Sequence, residues 1–172
     1  MSMKSTFEQA GKTMLGALTP GREGSSDILD TLQMEHDEVQ DLLAKLTQSH
    51  NAREQHSLVA QIKKALIPHA KAEEKVVYDA ILALKGRDAK VEGHEGYLEH
   101  GLAERTLKKL DTLTANTPEF SAAAKVLKEL IEHHVKEEEK DIWAQVKENF
   151  SGERRAQMNR DFLAAKKKVK PA

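Results

Sequence analysis

The chain has 172 residues, 27 Lys and Arg against 28 Asp and Glu, eight histidines and no cysteine. The missing cysteines exclude disulfides, iron–sulfur clusters, thiolate zinc sites and cysteine nucleophiles, so any metal must be held by nitrogen and oxygen. Aromatics at 4% and charged residues at 32% suit one domain of long solvated helices better than a sheet, which draws on aromatic and β-branched residues.

Residues 1–26 are punctuated by Gly11, Gly16, Pro20, Gly21 and Gly24 and read as a flexible arm. Met14 to Leu18 is too short an apolar patch for a signal peptide, and no stretch approaches the ~20 apolar residues of a membrane span. A cytoplasmic location is the resulting expectation.

The first periodic segment runs from Asp27 to about His50, behind the candidate caps Ser25 and Ser26. Its apolar stripe is Leu29, Leu32, Val39, Leu43 and Leu46, and His36 fills the one gap. A second helix is expected over about Arg53 to Lys85, with stripe Leu58, Ile62, Leu66, then Val76, Ala80 and Leu84. His69 and Glu73 continue that stripe between its halves. Pro68 lies inside this helix and predicts a kink immediately before His69.

The third helix, about Lys90 to Thr114, carries Leu107, Leu110 and Leu113, and its stripe projects back through Ala103 or Glu104 to His100 and Tyr97. Gly93, Gly96 and Gly101 suggest a loose backbone there. The fourth begins at Thr117-Pro118, an N-cap with proline at the first helical position, and runs to about Asn149. Its stripe is Phe120, Ala124, Leu127, Ile131, His134, Glu138, Ile142 and Val146. A short fifth helix, about Glu153 to Lys168, follows Ser151-Gly152. The organisation expected is therefore an arm over 1–26, an all-α, up-down-up-down antiparallel four-helix bundle over 27–150, and a short helix with a basic tail over 151–172.

Each bundle helix places a histidine on its buried stripe, and two add a glutamate four residues later. Residues i and i+4 share a helix face, so His69 with Glu73, and His134 with Glu138, reach a common centre. An internal repeat reinforces the pattern. Ile62 to Lys75 aligns without a gap on Leu127 to Lys140, and Tyr78 falls on Trp143 at the same offset of 65. Glu35-His36 matches Glu99-His100 at an offset of 64, with Leu43 on Leu107 and Leu46 on Leu110. Burying four imidazoles and two carboxylates without partners would cost more than a domain's ~5–15 kcal/mol of net stability. Two divalent cations, iron, zinc or manganese, would remove that cost, with the glutamates able to bridge them. The alternative is a histidine–glutamate hydrogen-bond network with waters.

These motifs resemble the hemerythrin-like, HHE cation-binding family. Leu32-Gln33-Met34-Glu35-His36-Asp37, His69-Ala70-Lys71-Ala72-Glu73-Glu74 and His133-His134-Val135-Lys136-Glu137-Glu138-Glu139 carry the resemblance, over about Asp27 to Phe150. It implies two non-haem iron ions, with an oxo or hydroxo bridge, held by His36, His69, Glu73, His100, His134 and Glu138. It also implies a small diatomic or peroxidic ligand (O2, NO or peroxide), bound for sensing, storage or detoxification. A peroxide-decomposing enzyme and an iron buffer are the alternatives, and the sequence assigns no catalytic residue.

The oxygen carriers of that family have a second histidine on the third helix where this chain has Glu104. Their final carboxylate stands where this chain has Glu139, whereas stripe and repeat favour Glu138. Glu104 and His94 are possible additional ligands. His50, His56 and His133 read as surface or boundary residues, and Tyr78 and Trp143 as bundle-end packing able to shield or donate to a ligand. Residues 151–172 carry a net +5 and the middle segment −7. The tail reads as a solvated terminus, so neither a nucleic-acid nor a membrane partner is expected, and the chain is expected to be a monomer or weak homo-oligomer.

Overall fold

The computed structural model describes residues 27–170. The expected arm over 1–26, with Ser25 and Ser26, lies outside the described residues. All regular elements among the described residues are helical. Helix α1 (Ile28–Gln48) is capped by Asp27, whose carboxylate accepts from the Leu29 N–H at 3.1 Å and takes the place expected of the serines. Its buried side includes Leu29, Leu32, His36, Val39, Leu43 and Leu46, the spacing of one helix face.

Helix α2 (Ala52–Glu73) continues in α geometry through Pro68. The departure comes later, in a π-helical turn, π1 (Glu74–Tyr78), followed by α3 (Asp79–Leu82). A π turn bonds i to i+5 and so takes up one extra residue. That residue rotates the buried face: Val77, Tyr78 and Ile81 are enclosed, whereas the expected Val76, Ala80 and Leu84 are only partly buried. The fourth stretch repeats the device, with α5 (Pro118–Glu137), π2 (Glu138–Ile142) and α6 (Trp143–Asn149). Thr117 caps α5, accepting from the Phe120 N–H at 3.2 Å.

Helix α4 (Arg87–Thr112) begins three residues before Lys90. Gly93 and Gly96 are sites of close approach rather than looseness, whereas Gly101 has only the Arg105 guanidinium near the place of a Cβ, at 3.8 Å. A Cβ on Gly96 would stand 2.5 Å from the Tyr78 ring, and one on Gly93 would stand 3.0 Å from Leu82 Cδ2. Alanine normally favours a helix by up to ~1 kcal/mol over glycine. Gly96→Ala is nevertheless expected to lower stability by about 1–3 kcal/mol, because the fully buried Tyr78 ring must shift to admit the methyl group. Thermal unfolding of the metal-free variant checks the sign. Tyr97, projected onto the buried stripe, is half-buried instead, its hydroxyl donating to Asp79 Oδ1 at 2.8 Å with the Glu74 carbonyl oxygen also in reach at 3.0 Å.

Helix α7 (Gly152–Lys166) lies against α1, α2 and π1. Met158 and Phe162 are fully enclosed there, Arg155 Nε pairs with Asp27 at 2.8 Å, and Lys166 Nζ with Glu35 at 2.6 Å. The described core forms two apolar clusters. One includes Leu43, Leu46, Ile62, Leu107 and Leu127, and the other Leu32, Tyr78, Ile81, Trp143 and Phe162. The buried histidines occupy the chain positions between them. No described helix is long and apolar enough to cross a membrane.

Candidate metal centre

His36 on α1, His69 and Glu73 on α2, His100 on α4, His134 on α5 and Glu138 on π2 are all buried, none more than 4% exposed. They meet through their inner atoms. His69 Nε2 is 3.2 Å and His100 Nε2 3.5 Å from Glu73 Oε2. His134 Nε2 is 3.2 Å and His36 Nε2 3.7 Å from Glu138 Oε2. Each carboxylate thus spans one histidine from each half of the repeat. Within each half the rings also pair, His36 with His69 at 5.1 Å between centroids and His100 with His134 at 4.7 Å.

The outer nitrogens have carboxylates of their own. His36 Nδ1–H donates to Glu139 Oε1 at 3.1 Å, His69 Nδ1–H to Glu35 Oε2 at 2.9 Å, and His134 Nδ1–H to Glu99 Oε2 at 2.7 Å. His100 Nδ1 stands 3.4 Å from Glu74 Oε1. The pattern is cyclic: each helical stretch backs the histidine of the next, and the fourth backs that of the first. Such a carboxylate fixes the tautomer with the Nδ1 proton outward and leaves the inner nitrogen with a free electron pair. Sequence spacing missed Glu35, Glu74 and Glu99 because each acts on a different helix. The repeated Glu-His pairs and the aligned Glu74 and Glu139 were the available signal.

The site is electrostatically strained without a cation. Both oxygens of Glu73 and of Glu138, and His36 Nε2, have no hydrogen-bond partner despite full burial. Burial and then the neighbouring charge of Glu138 raise the Glu73 carboxyl, whereas Glu138 overcomes its own burial through His134 and His36 and is held far below the usual carboxylate range. Burial alone would lower His69, but Glu73 and Glu35 hold it up at about 9. His134 likewise overcomes burial through Glu138 and Glu99, reaching about 10, while burial takes His100 down to about 4. Protons on His69 and His134 therefore stand where cations would.

The donor atoms fit metal ions. His36, His69 and Glu73 each offer a ligand atom within 4.8 Å of the others, and so do Glu73, His100 and His134. Four imidazole nitrogens and two carboxylates form a set suited to iron, zinc or manganese. Three aromatics wall it, with Tyr97 behind Tyr78. Trp143 stacks on His36 at 6.1 Å and Tyr78 on His100 at 5.3 Å, so residues that align in the repeat cover equivalent imidazoles; Phe162 of α7 sets its edge against His69 at 5.7 Å, and Tyr97 lies 5.7 Å from Tyr78. The Tyr78 hydroxyl is buried and has no hydrogen-bond partner.

Other expected candidates lie elsewhere. Glu104 is turned outward to Lys108 at 2.8 Å and Lys71 at 3.4 Å, and His94 is exposed on the outer face of α4, because no distortion near Gly93 and Gly96 swings it inward. Glu139 sits behind His36 rather than at the centre, 28% exposed. His50, His56 and His133 are exposed.

The family profile described as Hemerythrin HHE cation binding domain matches residues 27–146. A protein of Nostoc sp. (strain PCC 7120 / SAG 25.82 / UTEX 2576) named DNA nickase is 30% identical over 154 residues, which cover 89% of this chain and 43% of that protein. The chain thus spans less than half the length of this relative. No solved structure matches significantly.

Proposed function

The chain belongs to the hemerythrin HHE cation-binding domain family, and from that premise we propose that its buried cluster holds two iron ions and binds a small diatomic or peroxidic ligand. The observation that carries the metal is the pair of buried glutamates, each set between two imidazole nitrogens and with no hydrogen bond to either oxygen. His36 and His69 would hold one ion and His100 and His134 the other, with Glu73 and Glu138 bridging, in the family's up-down-up-down bundle. Six protein ligands on two irons leave coordination positions open, and iron supplies the electrons for binding or reducing O2, NO or peroxide.

The free space supports a ligand of that size. The crevice leading to Glu138 and Tyr78 offers about 30 Å³ of room for water, and the cavity beside His36, His69 and His100 about 10 Å³. That is space for one or two small molecules, not an organic substrate. Burial and the Glu138 and Glu73 charges push the Tyr78 phenol well above its ordinary range, so it stays a neutral O–H donor. A donor beside the centre also favours a second reading, a peroxide-decomposing enzyme, in which Tyr78 supplies a hydrogen bond or proton. The acidic surface around the crevice would repel a phosphate backbone, and this reading takes no nucleic acid as substrate.

The test is to load the metal-free protein anaerobically with ferrous iron, count iron, and record the visible spectrum before and after air, NO or hydrogen peroxide. About two irons per chain and new charge-transfer absorption are expected. Sustained O2 evolution from peroxide would select the enzyme, and iron uptake with no response to any ligand would select buffering. A colourless protein that takes up no iron overturns all three.

A further inference from the structure

The two halves of the repeat place the same groups at the centre but cover them differently. At repeat offsets of 64 and 65, Glu92, Glu95, His133, Glu137 and Asp141 correspond to Ile28, Thr31, Pro68, Ala72 and Val76. The second set is apolar apart from Thr31 and lies under α7, whose Met158 and Phe162 close that side. Apart from His133, which sits beside Glu99 and Glu137, the first set lines the crevice between α4 and the α5–π2 stretch, which runs from exposed Glu95 inward to Tyr78 and Glu138. One face of the centre is sealed, and its counterpart is acidic and open.

The charges beside the outer carboxylates differ in the same sense. Glu35, which backs His69, is paired with Lys166 of α7 at 2.6 Å. Its equivalent Glu99, which backs His134, has no lysine or arginine against it among the described residues and instead has His133 Nε2 at 3.7 Å. His133 Nε2 is also 3.4 Å from Glu137 Oε2, and Glu99, His133 and Glu137 can each present a ligand atom within 4.8 Å of the others. Farther along the crevice, burial and then Asp141, Asp88 and Glu95 raise the Glu92 carboxyl, a sign of crowded negative charge. The inner end carries an independent indication of a ligand: Glu138 is 3% exposed and Tyr78 fully buried, and the Glu138 oxygens and the Tyr78 hydroxyl that line the crevice have no hydrogen-bond partner.

We propose that this crevice is the loading route of the metal centre, with Glu99, His133 and Glu137 forming an outer holding site for a divalent cation. The proposal rests on the buried cluster being a metal centre. A cation held at Glu99 takes the place that Lys166 occupies at Glu35. The crowded carboxylates raise the local cation concentration and speed capture, an effect that falls with salt. From the outer site the ion loses water in steps, since Glu138 and the inner imidazole nitrogens supply replacement ligands at the end of the crevice. On the opposite side Phe162 and Met158 leave no such acidic path.

The chain's one tryptophan, Trp143, stacks on His36 and reports filling of the centre. Metal-free protein is mixed with anaerobic ferrous iron, Trp143 quenching is followed by stopped flow, and iron is counted at equilibrium. The double variants His133→Gln/Glu137→Gln and Glu92→Gln/Glu95→Gln should each load about tenfold more slowly at low salt, with the deficit shrinking in high salt and the final iron per chain unchanged. Glu129→Gln/Glu132→Gln, on the exposed face of α5, removes as many negative charges as the α4 pair and one more than the α5 pair, and should load at the wild-type rate. Crevice variants that load like wild type, or no more slowly than the control, overturn the route while leaving the metal centre standing. Wild-type protein that takes up no iron overturns the centre itself, and the route with it.

Discussion

Glu73→Ala and His134→Ala are each expected to abolish stoichiometric iron binding, with affinity falling by more than the roughly 10–100-fold that loss of an outer hydrogen-bond partner costs. Glu73 has no solvent contact, lies between His69 and His100 at 3.2 and 3.5 Å, and belongs to both triads of potential ligand atoms, so its removal disables both halves. His134 faces Glu138 at 3.2 Å and is anchored behind by Glu99. Either change could also loosen the core, and unfolding with and without iron separates the two effects. A hundredfold excess of iron over Kd should stabilise the wild type by about 2.7 kcal/mol, or roughly 5–10 °C in Tm, and neither variant should respond. His50→Ala, exposed just beyond the C-terminal end of α1, should keep the full response. Two irons retained in either centre variant would refute the assignment.

Raising the pH from 7 to 10 is expected to destabilise the metal-free protein strongly and the iron-loaded protein little. His69 and His134 are raised to about 9 and about 10 by the carboxylates around them. A raised imidazole contributes stability that is fully present below its unfolded value near 6.5 and is lost as pH climbs through the folded value. Glu73, also raised, weakens the metal-free fold in the same direction from lower pH. The depressed Glu138 and His100 act at the acid end, outside this window. The expected loss is on the order of a few kcal/mol for each imidazole. Bound cations replace those protons, so iron affinity should rise over the same interval and binding near pH 8 should release about two protons per chain. Melting curves with and without iron from pH 6 to 10, and an indicator-dye titration, measure both. A metal-free Tm flat from pH 7 to 10 would show that the imidazoles do not carry these protons.

Much of the helical pattern was legible because it is local. Asn51, Thr117 and Ser151 cap helices where the sequence turns from polar to periodic, and the leucine spacing marks which face is buried. The shift of the buried face from Val76 to Val77 was not legible. It follows from π1, and a π turn is stable only when the packing around the extra residue favours it. The roles of Gly93 and Gly96 were not legible for a related reason. Their meaning lies in Tyr78 and Leu82, residues of another stretch that occupy the space a Cβ would need.

For the centre, the repeat by itself determined which residues are brought to one level: His36, His69, Glu73, His100, His134 and Glu138 share positions that recur at offsets of 64 and 65. Within an α-helical stretch, identical local spacing puts the same positions on the same face. Only the tertiary structure decided which carboxylate backs which imidazole, where Glu104 and His94 point, and which side is open. Those outcomes depend on contacts between helices, and the sharpest of them comes from α7, whose few apolar residues cover one half of a nearly symmetric core and leave its acidic counterpart exposed.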